Sequence, residues 1–151
     1  MSDLTDLYQQ VILDHQRRPR NFGDLEDADR RAEGYNPLCG DRINVELKLG
    51  DDGSVTDVRF SGQGCAICTA SASMMTESLH GRKADDADHI CRGFTDLVTG
   101  KREPEDAEGE LGKLVVFAGV REFPVRVKCA TLPWHTFRAA LEGRGKPVST
   151  E

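Results

Sequence analysis

The most constraining feature of the sequence is a pair of alternating segments followed directly by a run of small residues. Apolar and polar residues alternate over residues 43–49 and again over 56–60, with turn-forming residues 50–53 between them. Residues 65–80 are mostly small, and Ile67, Ala70 and Met74 keep helical spacing. The pattern predicts an antiparallel hairpin that passes into a helix at Cys65.

Helices are predicted on both sides of this unit. The first has apolar residues at helical spacing and ends at turn-forming residues: Leu4, Leu7, Tyr8, Val11 and Ile12, then Pro19, Asn21 and Gly23. A second begins near Asp85 or Asp86 and ends before Gly100. Because no alternating βαβ units are visible, we expect an α+β fold, a small antiparallel β-sheet packed against several helices.

The last third of the chain gives weaker signals. Residues 101–110 are acidic and contain a proline, which predicts a solvated loop, and residues 111–118 fit either a short helix or a strand. A loop is predicted for residues 119–124. Pro133 is tolerated only in the first turn of a helix, so the last helix is predicted to begin near Cys129 or Ala130. A mobile tail is expected from about residue 143.

Length and charge narrow the classes of function. A chain of 151 residues has the size of one domain, so we expect a single domain over residues 1–151. Its net charge of −6 argues against binding to nucleic acid or to an anionic membrane. No apolar run approaches the ~20 residues of a membrane span, and the N-terminus lacks a signal-peptide core, so we expect a cytoplasmic protein.

The five cysteines point to metal or thiol chemistry. An odd number of cysteines in a cytoplasmic chain is poorly explained by disulfides. Cys65 lies at a predicted helix start, and Cys129 is given the same place, where free backbone N–H groups favour a thiolate. Cys39 is followed by Gly40 and Asp41, so a thiol and a carboxylate can turn towards one point.

These groups form a candidate zinc site. Three thiolates and a carboxylate could not converge without a cation, and sulfur and oxygen ligands suit tetrahedral zinc. The candidate ligands are Cys39, Asp41, Cys65 and Cys129. Because 63 residues separate Cys65 from Cys129, no compact zinc-finger spacing supports the set. A carboxylate in place of a fourth thiolate indicates a site whose ligands can exchange.

Two further cysteines have other interpretations. Cys91 lies on the apolar stripe of the predicted second helix, which indicates a buried, inert thiol. Cys68 completes a Cys-x-x-Cys pair with Cys65 at a helix start, a pattern typical of redox motifs. Cys68 could be a spare ligand, a resolving thiol or a packing residue, and we favour packing.

Three motifs carry a family resemblance. They are Asn-Pro-Leu-Cys-Gly-Asp at residues 36–41, Gly-Gln-Gly-Cys-Ala-Ile at residues 62–67 with Ala-Ser-Ala-Ser-Met-Met at residues 70–75, and Phe-Pro-Val-Arg-Val-Lys-Cys-Ala at residues 123–130. In this order they resemble SufU-type zinc-dependent sulfurtransferases, relatives of the IscU and NifU N-terminal-like iron-sulfur cluster assembly proteins. The resemblance extends to about Leu141 and implies a SufE/IscU-like fold. Cys68 departs from the family pattern, which usually has serine there.

The resemblance implies roles for the motif residues. Cys39 would accept sulfur from the persulfide of a SufS-type, pyridoxal-phosphate-dependent cysteine desulfurase and pass it to downstream iron-sulfur assembly proteins. Zinc would be held by Cys39, Asp41, Cys65 and Cys129. The long segment before Cys129, and Lys128 where scaffold proteins carry a histidine, favour sulfur transfer. Two alternatives are a scaffold that holds a transient iron-sulfur cluster and a dithiol oxidoreductase at Cys65 and Cys68.

Overall fold

Five helices and a small sheet succeed one another in the computed structural model, which describes residues 3–143 and 148–149, with side chains for residues 9–143. In chain order the elements are α1 (Asp3–Arg17), β1 (Arg30–Asn36), β2 (Asp41–Leu49), β3 (Val55–Gln63), α2 (Ala66–Leu79), α3 (Ala84–Val98), α4 (Pro104–Leu111), a 3₁₀ segment (Gly112–Glu122), α5 (Pro124–Glu142) and β4 (Val148–Ser149). Among the described residues, no helix is long and apolar enough to span a bilayer.

The sheet has the strand order β3-β2-β1-β4. Strands β1, β2 and β3 pair antiparallel, while β4 pairs parallel with Gly34 and Tyr35 of β1. Ile43, Val45 and Leu47 of β2 are buried, as the alternating pattern predicts, and α5 packs against β1 and β2. The α+β prediction is therefore confirmed, and so is the hairpin of β2 and β3.

Strand β1 is an element that the sequence pattern does not reveal. Its residues, Arg-Arg-Ala-Glu-Gly-Tyr-Asn, show no alternation of apolar side chains. It forms by pairing with β2 in a register that runs from Arg30 opposite Leu47 to Asn36 opposite Asp41. This register closes a tight turn at residues 37–40 and so fixes the place of Cys39.

A buried hydrogen-bond chain holds α2 against α5. The indole Nε1 of Trp134 donates to Ser71 Oγ at 2.9 Å, and Ser71 Oγ donates to the carbonyl of Ala130 at 2.6 Å. The indole also stacks on Phe94, with ring centroids 4.4 Å apart. Because Ala130 follows Cys129, this chain positions one of the candidate ligands.

The prediction that the last helix begins near Cys129 is wrong. Helix α5 begins at Pro124, which occupies its first helical position, and passes through Pro133. A proline at the first position loses no helical bond. Pro133 lacks the N–H that would reach the Cys129 carbonyl, but burial of Leu132, Trp134 and Phe137 compensates for that one bond. Cys129 therefore lies in the second turn, away from the free N–H groups at the helix end.

Residues 101–110 were predicted as a solvated loop, and this is also wrong. Most of the segment forms α4, with Pro104 at the first helical position and Glu105 and Asp106 in the first turn. Acidic residues are favourable at a helix N-terminus, and Ala107 and Leu111, four residues apart, are buried. The same proline and acids that suggested a loop therefore start a helix.

Residues 112–122 form the 3₁₀ segment. Residues 111–118 are therefore not a strand, and the loop predicted for residues 119–124 is mostly helical. The predicted tail begins at Gly143, which ends α5 in a left-handed conformation. Residues 144–147, 150 and 151 lie outside the described residues.

Acid should destabilise the fold through His15. This buried imidazole has Nδ1 2.7 Å from Ser73 Oγ, and its Nε2 lies 3.6 Å from the Glu77 carboxylate. Burial, and then the charge of Arg20, lowers the pKa of His15 below its ordinary 6.5. The unfolded chain therefore takes up a proton first, so stability is full above 6.5 and is lost as the pH falls through the lowered pKa.

Between about pH 7 and pH 5, we expect the melting temperature of His15→Gln to fall less than that of the wild type. The measurement is thermal unfolding followed by circular dichroism on metal-free protein, so that thiol protonation does not release a bound ion. His80→Gln, which alters an exposed imidazole, is the control and should behave like the wild type. Equal pH dependence for all three proteins would contradict the role of His15.

Candidate metal centre

The turn between β1 and β2 is built around Asn36. The Asn36 carbonyl accepts N–H groups from Cys39 at 3.3 Å and Gly40 at 2.8 Å, and its side-chain Oδ1 accepts the Leu38 N–H at 3.1 Å. Gly40 has φ +73°, a left-handed conformation that suits glycine. The turn exposes Cys39 to solvent and places Asp41 at the start of β2, where its side chain is buried.

Three of the four sequence-predicted ligands converge on one point. Ligand atoms of Cys39, Asp41 and Cys129 all lie within 4.8 Å of one another. Cys129 Sγ is 3.4 Å from Cys39 Sγ, and Cys129 and Asp41 are 2% and 1% exposed. One exposed thiol and two buried donors therefore form this group.

Cys65 lies next to this group, but its sulfur is not within 4.8 Å of all three of the other ligand atoms. Its Sγ is 3.9 Å from Asp41 Oδ2, and its backbone N–H donates to Asp41 Oδ1 at 2.8 Å. Cys65 is the N-cap of α2, where its sulfur accepts the Cys68 N–H at 3.4 Å. The predicted place of Cys65 at a helix start is thus confirmed.

The Asp41 carboxylate is buried without a counter-charge from the chain. Within residues 9–143, where side chains are described, no lysine, arginine or histidine forms an ion pair with it. One backbone N–H, from Cys65, is its short hydrogen-bond donor. A buried, unpaired carboxylate is unfavourable, so these surroundings suit a cation.

The thiols share protons in the absence of a metal. A hydrogen bond from Cys129 lowers the pKa of Cys65, helped by the Cys68 N–H and opposed by burial. The same interaction with Cys65, and then burial, raises the pKa of Cys129. This interaction therefore moves the two pKa values apart, and a metal ion bound by both sulfurs would displace the protons that they hold.

The donor set and its spacing fit a divalent metal ion. Around a tetrahedral ion with zinc-like bond lengths, neighbouring donor atoms lie about 3.5 to 3.8 Å apart. The Cys39–Cys129 sulfur distance of 3.4 Å and the Cys65–Asp41 distance of 3.9 Å bracket that range. Thiolates favour soft or borderline ions such as zinc over magnesium or calcium.

Asn36 is a site residue that the sequence analysis did not identify as one. It is fully buried, and its Nδ2 lies 3.6 Å from Cys129 Sγ, where it donates a long hydrogen bond. This donor supplies some of the stabilisation that a helix N-terminus would have given Cys129. The Asn-Pro pair at residues 36 and 37 indicates a turn, but only the fold brings Asn36 to Cys129.

The remaining two cysteines are buried. Cys91 is fully buried on α3, and burial raises the pKa of its thiol, as the predicted packing role requires. Cys68 is 1% exposed, and burial, followed by the charge of Asp41, raises the pKa of its thiol. All five cysteines are free thiols.

Comparison with known proteins shows which proteins this chain is similar to. The chain matches the family described as NifU-like N terminal domain over residues 7–130. It is 43% identical over 133 residues to the zinc-dependent sulfurtransferase SufU of Bacillus subtilis (strain 168), covering 88% of each chain. It is 38% identical over 142 residues to the iron-sulfur cluster assembly scaffold protein IscU of Streptococcus pyogenes serotype M1, covering 94% of this chain and 87% of that protein.

Solved structures show the same fold. FiSufU from Fervidobacterium islandicum AW-1 has a TM-score of 0.82 and 33% identity, over 90% of this chain and 97% of that one. A nitrogen-fixing NifU-like protein (N-terminal) from Brucella abortus has a TM-score of 0.82 and 25% identity, over 94% of this chain and 96% of that one.

Fold and site together define a small α+β domain that gathers thiols and a carboxylate at one corner of its sheet. The chain belongs to the NifU-like N-terminal domain family, in which SufU and IscU are relatives. The family resemblance inferred from the three motifs is thereby confirmed.

Replacing Asp41 by asparagine should have opposite effects on the metal-free and metal-loaded protein. Asp41→Asn keeps an oxygen for the Cys65 N–H but removes the unpaired buried charge, so the metal-free melting temperature should rise. Affinity for a divalent ion should fall at least about tenfold, or about 1.4 kcal/mol. Differential scanning calorimetry and competition with a chromophoric chelator, using Zn²⁺ as probe, measure the two effects.

The control is Asp51→Asn, which makes the same charge change at an exposed position in the β2–β3 turn. It should leave both quantities near their wild-type values. A metal affinity in Asp41→Asn equal to that of Asp51→Asn would exclude the carboxylate from the centre.

Proposed function

We propose that this chain is a zinc-dependent sulfur relay that accepts persulfide sulfur from a cysteine desulfurase for iron-sulfur cluster biogenesis. The proposed zinc ligands are Cys39, Asp41, Cys65 and Cys129, and the proposed acceptor is Cys39. The observation that carries the proposal is that Cys39 is the one exposed thiol of the five and lies within 4.8 Å of the buried donors Asp41 and Cys129. The sulfurtransferase name of the Bacillus subtilis relative supports it.

The transfer step follows from the position of Cys39. Bound zinc would keep the thiols of the centre deprotonated at neutral pH. The Cys39 thiolate attacks the outer sulfur of the desulfurase persulfide, forming a new S–S bond on Cys39. The original S–S bond breaks, and the desulfurase cysteine leaves as a thiolate. Cys39 lies on a turn, so it can approach a partner without disturbing the buried donors.

Four exposed apolar side chains are close in sequence to Cys39 or Cys129. Six large apolar side chains are exposed among residues 9–143, and four of them lie within six residues of Cys39 or Cys129: Tyr35, Leu38, Phe123 and Val125. We call these four the apolar rim. The Arg126 guanidinium lies 4.6 Å from the centre of the Phe123 ring, so a positive charge borders the rim. An apolar, partly cationic border suits a protein partner that presents an anionic persulfide.

The partner in this proposal is a SufS-type desulfurase that holds the pyridoxal phosphate, and iron-sulfur assembly proteins take the sulfur onward. A cysteine desulfurase is the donor that persulfide acceptance requires. The free state of all five cysteines agrees with a reducing compartment, which supports the cytoplasm as the place of action.

A scaffold that assembles a cluster on Cys39, Cys65 and Cys129 is the second candidate. The name of the Streptococcus pyogenes relative and the 3.4 Å approach of the Cys39 and Cys129 sulfurs favour it. Lys128 stands beside Cys129 where the resemblance places a histidine ligand in scaffolds, and a lysine ammonium does not ligate iron. This difference favours the relay.

Cys39→Ala should abolish sulfur acceptance and leave the fold intact. The exposed Cys39 side chain contributes little packing, whereas it is the nucleophile of the proposed transfer. The measurement is the rate of sulfide and alanine production by a SufS-type desulfurase, which untagged wild-type protein should stimulate and the variant should not. Elemental analysis of protein purified without chelator should show close to stoichiometric zinc in the wild type.

Cys68→Ala is the control, because it removes a thiol from outside the proposed ligand set. It should retain both zinc and stimulation. Iron together with sulfide, and no stimulation by the wild type, would establish the scaffold instead. Full-rate sulfur acceptance by Cys39→Ala would eliminate Cys39 as acceptor.

The apolar rim yields a separate prediction. Leu38, which is 61% exposed, should contact the desulfurase, so Leu38→Asp should raise the KM of the desulfurase for this protein about fivefold, or about 1 kcal/mol. Zinc content should not change. Leu13→Asp, at a 45% exposed position on α1, is the control. A KM that changes equally in both variants would refute a specific role for the rim.

A further inference from the structure

Cys65 and Cys68 form a thiol pair, of which the proposed relay uses only Cys65. Cys65 caps α2 in an extended conformation, with φ −68° and ψ 171°, and Cys68 lies in the first turn of the helix. Residues three apart at a helix start lie on the same side, with Cβ atoms about 5 to 6 Å apart. A disulfide has its Cβ atoms about 3.5 to 4.5 Å apart, so closing this pair requires the two Cβ atoms to approach each other by about 1 to 2 Å.

The Cys68 thiol lies beside Gly64, the residue that precedes Cys65. The Cys68 N–H donates to Cys65 Sγ at 3.4 Å, which holds the Cys65 sulfur over the first turn. A Cβ placed on Gly64 would lie 3.1 Å from Cys68 Sγ and 3.5 Å from Asp41 Oδ1. The Cys68 thiol therefore points back along the helix towards Gly64 and the metal centre, and glycine at residue 64 leaves room for it.

The two thiols differ in their access to solvent. Cys65 is half-buried, whereas Cys68 is 1% exposed. Within this pair, a small oxidant from solvent therefore reaches Cys65 before Cys68. This asymmetry is the arrangement that a reactive thiol and a resolving thiol require.

We propose that Cys65 and Cys68 are a redox-active dithiol that a hydroperoxide oxidises to a disulfide, which removes Cys65 from the metal centre. The loss of metal rests on the proposed role of Cys65 as a ligand, whereas the disulfide itself does not. The site would make sulfur transfer sensitive to peroxide.

The chemistry balances in two steps. The Cys65 thiolate attacks one oxygen of the hydroperoxide, whose O–O bond breaks to give a sulfenic acid on Cys65 and a hydroxide or alkoxide. The Cys68 sulfur then attacks the Cys65 sulfur, forming the S–S bond, and the sulfenic oxygen leaves as water with the Cys68 proton. Two thiols are oxidised, and one hydroperoxide is reduced.

Competing disulfides are possible at the centre. Cys39 and Cys129 sulfurs are 3.4 Å apart, and Cys129 also interacts with Cys65. In the metal-loaded protein, however, the proposed ligand role occupies Cys39, Cys65 and Cys129 alike, and Cys68 is the free thiol next to them in the first turn of α2.

Peptide mapping tests the proposal directly, because trypsin leaves Cys65 and Cys68 in one peptide, residues 60–82. The full-length protein, zinc-loaded or treated with chelator, is exposed to limiting hydrogen peroxide, alkylated and digested without reduction. We expect this peptide to lose both alkylatable thiols and to be lighter by two hydrogen atoms than the reduced, unalkylated peptide. A chromophoric chelator should register zinc release from the loaded form, and dithiothreitol should restore both thiols.

Two variants separate a resolving role from packing. In Cys68→Ala, peroxide should still release zinc, but Cys65 should be over-oxidised, and dithiothreitol should not restore metal binding. Cys91→Ala, which removes another buried thiol, should behave like the wild type. Cys68 that remains alkylatable after peroxide treatment, or Cys65 cross-linked to the peptide of Cys129, would overturn the proposal.

The outcomes also separate this proposal from the sulfur relay. A Cys65–Cys68 disulfide in protein that fails to stimulate the desulfurase even when it is loaded with zinc would support the dithiol and refute the relay. Zinc binding and desulfurase stimulation without that disulfide would refute the dithiol alone.

Discussion

A carboxylate and three thiols are held together at one corner of the sheet, and the unfavourable proximity of these acidic groups governs the chemistry of the protein. Asp41 is buried and forms no ion pair with a cationic side chain among residues 9–143, and the interaction between Cys65 and Cys129 moves their pKa values apart. Both conditions are relieved by a divalent cation. Metal binding and folding are therefore expected to be coupled here.

The fold keeps these groups together by bringing three separate elements to the same place. The β1–β2 turn contributes Cys39 and Asp41, the N-cap of α2 contributes Cys65, and the second turn of α5 contributes Cys129. Hydrogen bonds outside the donor set fix each element, through Asn36 in the turn and through Ser71 between α2 and α5. Such supporting contacts hold a metal site at productive geometry.

The parts of the structure that the sequence predicted correctly are those whose signals are local. Alternation identified the β2–β3 hairpin, and helical spacing identified α2 with Cys65 at its start. The incorrect predictions share a cause, because one local signal can fit two structures. Pro104 with its acidic neighbours suits both a loop and a helix start. Likewise, α5 begins at Pro124 rather than near Cys129. Strand β1 had no apolar pattern, because pairing with β2 decides its conformation.

The sequence by itself determined the residue types, their order and the motifs around each cysteine, and these were enough to indicate the α+β class, the family and the candidate ligands. Only the tertiary structure decided which donors meet, which thiol faces solvent and how the buried Cys68 lies beside Cys65. The physical reason is that convergence across 90 residues, from Cys39 to Cys129, depends on strand register and helix packing. These are interactions between distant segments, and no local pattern encodes the distances that result from them.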